Sequence, residues 1–392
     1  DCIAARFSKW APFAKRNLAR TLGAEVLDHP QVTLFLHANA VSLSAAAADP
    51  QRIGSATVLN YARQSFRFTS SYFIVCTGTI ESSRLLLCSP DVPNSDDQIG
   101  RYFHDHLSFH AARIPPPARR RILRWAGPFY VHATTHSCKL EASQGIRIRE
   151  RLLAVMAHVV VIEPEDSGIA AVRAMLRALQ HGRFKDALSS ELLSLLRGSG
   201  DVFRLWFEAR FHHRRAVSNR ADLRINIDVE QASDPENRIL LSAQLDELGM
   251  PIPVVHWRVG DLERDTAVRY ARIVRDYLHD AGIDELEWHS SVDGDTKPDL
   301  LDTYHAMGGL RMGDDPKTSV VNRDLAVHGL QNLYVSSCAV FPSGGSSNPT
   351  FTLMALTLRL ADRLLAQCKG SNQMSEPDTQ PKPDAAAITQ IR

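Results

Sequence analysis

A mixed α/β chain carrying a largely antiparallel second domain is the fold class that three observations in this sequence predict. Tyr72–Cys76 is a short apolar run that leads through Thr77-Gly78 into a helix start over Thr79–Leu87. Leu223–Val229, Ile239–Ser242 and Val254–Val259 have strand character and are expected to belong to one largely antiparallel sheet. Phe351, Met354, Ala355, Leu358, Ala361 and Leu365 then recur with a helical period directly behind Asn348-Pro349.

Taken in chain order, the elements begin with a helix over Phe13–Leu22 and a strand over Val32–His37. Ala56–Tyr61 and Ser65–Thr69 are strands, and with Tyr72–Cys76 they complete a first block, 1–100. A second block, 101–303, holds strands at Phe129–His136 and Leu153–Ile162 and the three already named. It also holds a helix over Asp261–Ala281, with Asp261 as its cap and Gly282 as its stop. A third block, 304–368, carries a buried strand and the long helix. From 369 to 392 the sequence turns to Ser, Gln, Pro, Asp and Ala and reads as a disordered tail.

Composition bounds the function. With 44% hydrophobic residues, 23% charged residues and a formal net charge of +1, the chain is ordinary globular material, and its charge gives no argument for nucleic-acid binding. The cysteines at 2, 76, 88, 138, 338 and 368 contain no CxxC, so neither a metal site nor a disulfide framework is indicated. No apolar run approaches the roughly 18 residues of a membrane helix, and no signal-peptide core is visible, leaving cytoplasmic and periplasmic locations both open. One segment departs from this balance. Between 167 and 220 the basic residues exceed the acidic ones by six, with Phe203, Trp206, Phe207 and Phe211 interleaved. A solvated helical insertion, a membrane-surface contact, an acidic partner subunit and an amphiphilic substrate all fit that pattern.

The chemistry concentrates after Tyr304. Asn348 is a favoured N-cap and Pro349 a favoured first helical residue. The helix they open presents its positive end to the loop Ser343-Gly344-Gly345-Ser346-Ser347, where bare glycines allow a ligand close approach. Asn348 serves there as a cap alone or also as a donor to a ligand. His305 is followed by Gly308, Gly309 and Gly313, with Arg311 between them, a setting in which it is either a structural imidazole or a general base working near neutral pH.

The order of these pieces, HxxGxxRMG, then HGLxNLYV, then FPxxxxxNPTxT, resembles the C-terminal signature of the glucose-methanol-choline (GMC) flavoprotein oxidoreductases. Tyr72–Leu87 is similar to the family's second signature, departing from it at Pro90, where glycine is commoner. Gly100-Arg101-Tyr102-Phe103-His104-Asp105-His106 is similar to its GRYFxDH element, and Glu230–Leu241 resembles its EQxPxPxSRIxL segment.

The resemblance implies the remainder of a Rossmann-like FAD-binding domain plus a substrate domain, and an FAD-dependent oxidation of an alcohol, sugar or polyol. His305 matches the family's base. Asn348 matches a position that holds histidine or asparagine in the family, and so implies a His/Asn pair. Ala40, Gly78, Ser336, Ser337, Asn348, Pro349 and Thr350 match positions around FAD, although the acidic residue common near Ser336 and Ser337 is replaced here. An ordinary strand-to-helix turn explains Gly78 equally well. The family's dinucleotide loop, GxGxxG after a strand, does not occur in this sequence. The resemblance thus implies that roughly the first third of a longer protein lies upstream. A flavin-containing lyase and a non-catalytic fragment are the alternatives.

Overall fold

The computed structural model describes residues 3–12, 15–132, 134–180, 199–294, 296–371 and 389–390. Two compact units divide the chain.

The first unit comprises Asp1–Ala24, Leu107–Val229 and Asp261–Leu301. Its sheet runs in the order Ile3–Trp10, Thr134–Ala142, Val155–Ile162, Asp222–Glu230, His106–Arg113 and Glu287–Trp288, with Phe129–Val131 paired to Thr134–Ala142. Ile3–Trp10 pairs antiparallel along its whole length with Thr134–Ala142, which moves residues 1–24 out of the block 1–100 expected from sequence. Phe129–His136, read as one strand, is the two arms of a hairpin, because His132 takes a left-handed turn at φ +46°. The helix Asp261–Asp280 buries Ala267, Tyr270, Ala271, Val274 and Leu278, one face at helical spacing. Tyr270 is fully buried and satisfies its hydroxyl by donating to the Leu140 carbonyl at 2.8 Å. Asp261 is the first helical residue and pairs with Lys297 at 3.0 Å, while Gly282 at φ +72° ends the helix as expected.

Burial holds the His158 imidazole down at a pKa of about 4, against an opposing pull from Asp228. The His158 Nδ1 to Asp228 Oδ2 distance of 3.2 Å allows an ion pair, yet the angle does not make a hydrogen bond. The unfolded chain therefore binds more protons than the native one between pH 6.5 and 4, so stability rises with pH across that window and is lost on acidification. Urea midpoints should fall over that range by an amount worth about 3 kcal/mol. In His158→Gln the slope should flatten, and an unchanged slope would assign the titration to another group.

The second unit comprises Glu25–His106, Glu230–Gly260 and Asp302–Arg392. Phe73–Val75 and Leu333–Val335 form a parallel pair, Leu333 opposite Phe73. Phe73, Val75 and all three residues of Leu333–Val335 are buried in a core with Leu43, Ile53, Leu86, Ile99, Val321 and Val340, while Ile74 is exposed. Asn39–Ala46, Asp49–Leu59 and Ser65–Phe68 make a three-stranded antiparallel sheet. Only Phe35–Leu36 of the expected strand Val32–His37 is extended in a ladder, and the first helix lies at Leu18–Leu27 rather than over Phe13–Leu22, of which Phe13 and Ala14 are outside the described residues.

Arg238–Leu245 and Pro251–His256 form a hairpin of their own, apart from the sheet that holds Asp222–Glu230. This corrects the single three-strand sheet read from sequence, and it moves 230–260 out of the block 101–303. Locally, Gln231 and Asn237 both donate to the Arg258 carbonyl, at 2.8 and 3.1 Å, so Arg258 ties the base of the hairpin to the segment that leads into it.

The final helix runs Thr350–Ser371. Its core-facing stripe is Leu356, Leu360 and Leu364, whereas Phe351, Met354, Leu358 and Leu365, the periodic positions seen in sequence, are exposed. Of the expected tail 369–392, residues 372–388 and 391–392 lie outside the described residues, and Thr389–Gln390 pairs with Phe35–Leu36.

Candidate active site

The two parallel strands end side by side, and the segment leaving each of them shapes one wall of a cavity of about 470 Å³. After Val75 come Cys76, Thr77 and Gly78 and the first turn of the helix Gly78–Leu87. After Val335 come Ser336, Ser337 and Cys338. Tyr304, His305, Ala306, Pro349, Thr350 and Leu353 complete the lining. Ligands settle at the carboxyl ends of parallel strands because loops and helix N-termini gather there. In this cavity the first turns of two helices, at Gly78 and Thr350, meet.

His305 and Asn348 are 43 residues apart and in contact, with Asn348 Nδ2 2.8 Å from His305 Nε2. Thr303 Oγ1 lies 2.8 Å from His305 Nδ1, and His106 Nδ1 lies 3.3 Å from it. His106 Nε2 in turn faces the Gly344 carbonyl at 3.2 Å. These partners assign the tautomers. The Gly344 carbonyl only accepts, so the His106 proton sits on Nε2 and its Nδ1 keeps a lone pair. The amide nitrogen of Asn348 only donates, so His305 Nε2 accepts, and the proton of the neutral His305 ring lies on Nδ1 toward Thr303 and His106. The lone pair a general base needs is thereby on Nε2, beside the amide.

Asp105 holds this arrangement from below. One of its buried carboxylate oxygens accepts from the backbone N–H of His106 at 2.6 Å and of His305 at 2.9 Å. Glu230 accepts from the Gly345 N–H at 2.9 Å and anchors the loop that leads to Asn348. Thr79 Oγ1 donates to the Ala306 carbonyl at 2.6 Å, tying the helix start to the chain just after the histidine. His104, fully buried, donates from Nδ1 to the Tyr102 carbonyl at 2.9 Å, and burial pushes its pKa down, so this ring is neutral packing in the site's floor.

Of the residues expected around a cofactor, Gly78, Ser336, Ser337, Pro349 and Thr350 all line the first cavity. Ala40 lines a second cavity, also of about 470 Å³, together with Asn39, Tyr61 and Arg84. Thr77 and Glu81 belong to both linings, which makes the two cavities neighbours. Ser336 Oγ lies 2.6 Å from Thr357 Oγ1, and Ser337 Oγ accepts from the Ala339 N–H at 3.2 Å, so what these serines offer a ligand is main chain.

His106, Asp105, Thr303, Glu230 and Tyr304 had no role assigned to them from sequence. The element Gly100–His106 carried a signal in its motif likeness, but nothing in it told which of its two histidines meets His305. Tyr304 has a left-handed backbone at φ +60° and a side chain 91% exposed on the cavity wall, a pairing of strain and exposure that no sequence pattern encodes.

Asn348→Asp keeps an acceptor at the head of the helix and removes the amide donor. A fall in turnover of about tenfold or more is expected, the worth of one hydrogen bond in a transition state, with the melting temperature held within about 2 °C. A large loss of thermal stability with turnover intact would make Asn348 a cap only.

Residues 233–357 match the profile described as GMC oxidoreductase. The fructose dehydrogenase large subunit of Gluconobacter japonicus is 26% identical over 362 residues, covering 90% of this chain and 56% of that protein. Paromamine 6'-oxidase of Streptomyces fradiae is 24% identical over 359 residues, covering 89% and 55%. The gluconate 2-dehydrogenase flavoprotein of Pantoea cypripedii is 47% identical over 58 residues, covering 15% and 9%. The chain thus spans about half the length of the first two of these relatives. Residues 233–357 thus carry the GMC oxidoreductase profile, in the part of the chain where the signature order lies, and relatives at 24–26% identity align over about nine-tenths of its length.

Proposed function

We propose that this protein binds FAD and oxidises the CH–OH group of a small alcohol, sugar or polyol. The observation that carries the reading is the contact of Asn348 Nδ2 with His305 Nε2 at 2.8 Å, with His305 and the neighbouring Pro349 lining the first cavity. Relatives named as a fructose dehydrogenase and a paromamine oxidase support the substrate class.

The residues present suit a flavin dinucleotide. Two adjoining cavities, each within the roughly 300–1,000 Å³ of small-molecule sites, suit an elongated ligand with its reactive end near His305 and its far end near Ala40. Gly78, at φ +79° with no atom within 4 Å of the place a Cβ would take, leaves room over the strand-to-helix turn. Pro349, Thr350, Ser336 and Ser337 would hold the reactive end, largely through main chain.

When bound, FAD supplies the acceptor for a hydride. The chain's own residues do the rest. A substrate hydroxyl that replaces the direct contact of the pair donates to His305 Nε2 while its oxygen accepts from Asn348 Nδ2. His305 takes the hydroxyl proton, and the alkoxide so formed is the better hydride donor. The imidazolium that results shares its Nδ1 proton with Thr303 and His106, which keep the ring in place. The positive end of the helix Thr350–Ser371 favours negative charge in the cavity by about 0.3–2 kcal/mol. An electron-accepting partner or a surface contact would fall to the segment 167–220, whose residues 181–198 lie outside the described ones.

Incubation with FAD, gel filtration and an absorption scan test the reading. Retained flavin bands that bleach anaerobically on adding an alcohol or sugar are expected. Flavin retained but never bleached would favour a lyase, and a colourless protein would remove the cofactor assignment for this chain.

A further inference from the structure

A second cavity system lies within the first unit and shares no residue with the site above. It has a volume of about 730 Å³, and Arg119, Arg120, Arg124, Arg204, Arg214 and Arg215 line it against one carboxylate, Glu208. Glu208 is itself 3.0 Å from His212 Nδ1. Several guanidinium groups are held in place by backbone: Arg214 donates to the Leu123 and Arg124 carbonyls at 2.8 and 2.6 Å, and Arg119 donates to the carbonyls of Asn219 and Ala221. Carbonyl partners fix direction and leave the charge in place. Burial first, and then the neighbouring Arg204, push the Arg119 pKa down against the opposing pull of Glu163 and Asp222.

The helix Ser199–Phe211 forms one wall of this cavity and has a second face beside it. Arg204, Glu208 and His212 succeed one another at four-residue spacing along the cavity. Phe203, Trp206, Phe207 and Phe211, at i, i+3, i+4 and i+8, form the adjoining stripe and are 65%, 56%, 39% and 54% exposed. Their rings touch in one continuous cluster, with centroids 5.0–6.2 Å apart. Arg210 stands over Phe211 at 5.5 Å. A soluble polyanion accounts for the arginines and leaves this aromatic row in water. An apolar partner surface accounts for the aromatics and leaves the arginines unmatched.

We propose that this cavity and the aromatic face together form a peripheral membrane site, with the arginines holding the phosphate of an anionic phospholipid headgroup and the aromatic row lying in the interface beside it. Guanidinium forks match phosphate oxygens in geometry and charge. Aromatic rings are favoured at the headgroup level, and a basic helix with an aromatic face lies in the plane of the interface. Among the described residues no helix is long and apolar enough to cross a membrane, in keeping with a contact that lies on the surface. This inference is independent of the flavin reading.

The test is co-sedimentation of the full chain with phosphatidylcholine vesicles, with and without phosphatidylglycerol. Binding is expected to the anionic vesicles only, weakening as salt rises. It should fall at least about tenfold in Arg120→Glu/Arg124→Glu and also in Phe203→Ser/Trp206→Ser. Quenching of fluorescence by brominated lipid that disappears in Trp206→Phe would place that ring in the interface without disturbing the fold. No vesicle binding, equal binding to neutral vesicles, binding unaltered in both double variants, or capture of inorganic tripolyphosphate without vesicles would each overturn the proposal.

Discussion

Reduction of the bound flavin by substrate is expected to slow at least about 100-fold in His305→Ala, the usual loss on removal of a positioned general base. The geometry makes this a sharp expectation. His305 is held through its backbone N–H by Asp105 at 2.9 Å and through Nδ1 by Thr303 at 2.8 Å, so its Nε2 has one orientation, toward Asn348. Asn348 has no proton affinity near neutral pH, and His106 spends its Nε2 proton on the Gly344 carbonyl while its Nδ1 faces the His305 ring. The backbone contact to Asp105 survives the substitution, so the fold should change little. Anaerobic stopped flow with the flavin-loaded enzyme separates the effects: the limiting rate of bleaching should fall while the substrate concentration at half-saturation moves by less. A limiting rate equal to that of the parent enzyme would remove His305 from the chemistry.

Much of the site could be read from the chain, because its parts are encoded locally. Asn348-Pro349 marks a helix start, Val75 and Val335 each close a short buried strand before small residues, and His305 sits against a glycine pair. Each is a propensity statement about a few neighbours, and each element stands where it was expected. What escaped is encoded at a distance. His106 reaches His305 across 199 residues and Glu230 reaches Gly345 across 115, and such meetings depend on how strands are ordered.

The missed strands have a different cause. Asn39–Ala46, NAVSLSAA, is built from alanine and serine, weak strand formers that are extended here because Asp49–Leu59 pairs with them. Ile3–Trp10 is mostly exposed and has no clean alternation, so only its ladder with Thr134–Ala142 defines it. The final helix shows the converse. Its periodic apolar positions were legible as a helix, but period alone does not say which stripe faces the core, and the buried one is Leu356, Leu360 and Leu364.

The second large effect is expected from the smallest residue in the signature. Gly308 has φ +78°, and a Cβ there would stand 2.0 Å from the Tyr102 carbonyl oxygen and 2.9 Å from His104 Nδ1. Neither neighbour can yield cheaply. Tyr102 is itself left-handed at φ +63°, and the chain on both sides is pinned by a ladder: His104 N–H to Met307 O at 2.9 Å, Met307 N–H to His104 O at 2.8 Å, Gly309 N–H to Arg101 O at 3.0 Å and Gly100 N–H to Gly309 O at 2.6 Å. Gly308→Ala should therefore destabilise the protein by about 3 kcal/mol or more, lowering the melting temperature by about 6–12 °C. Gly345 is the control. It too has a positive φ, +61°, but nothing lies within 4 Å of its would-be Cβ, so Gly345→Ala bears only the backbone penalty of about 1 kcal/mol. Equal melting of the two variants would mean that the contact with Tyr102 is not tight. A large difference would tie the glycine pair of the signature to this ladder, which fixes residues 100–104 against 307–309 and so sets His106 and His305 at the spacing their hydrogen bond requires.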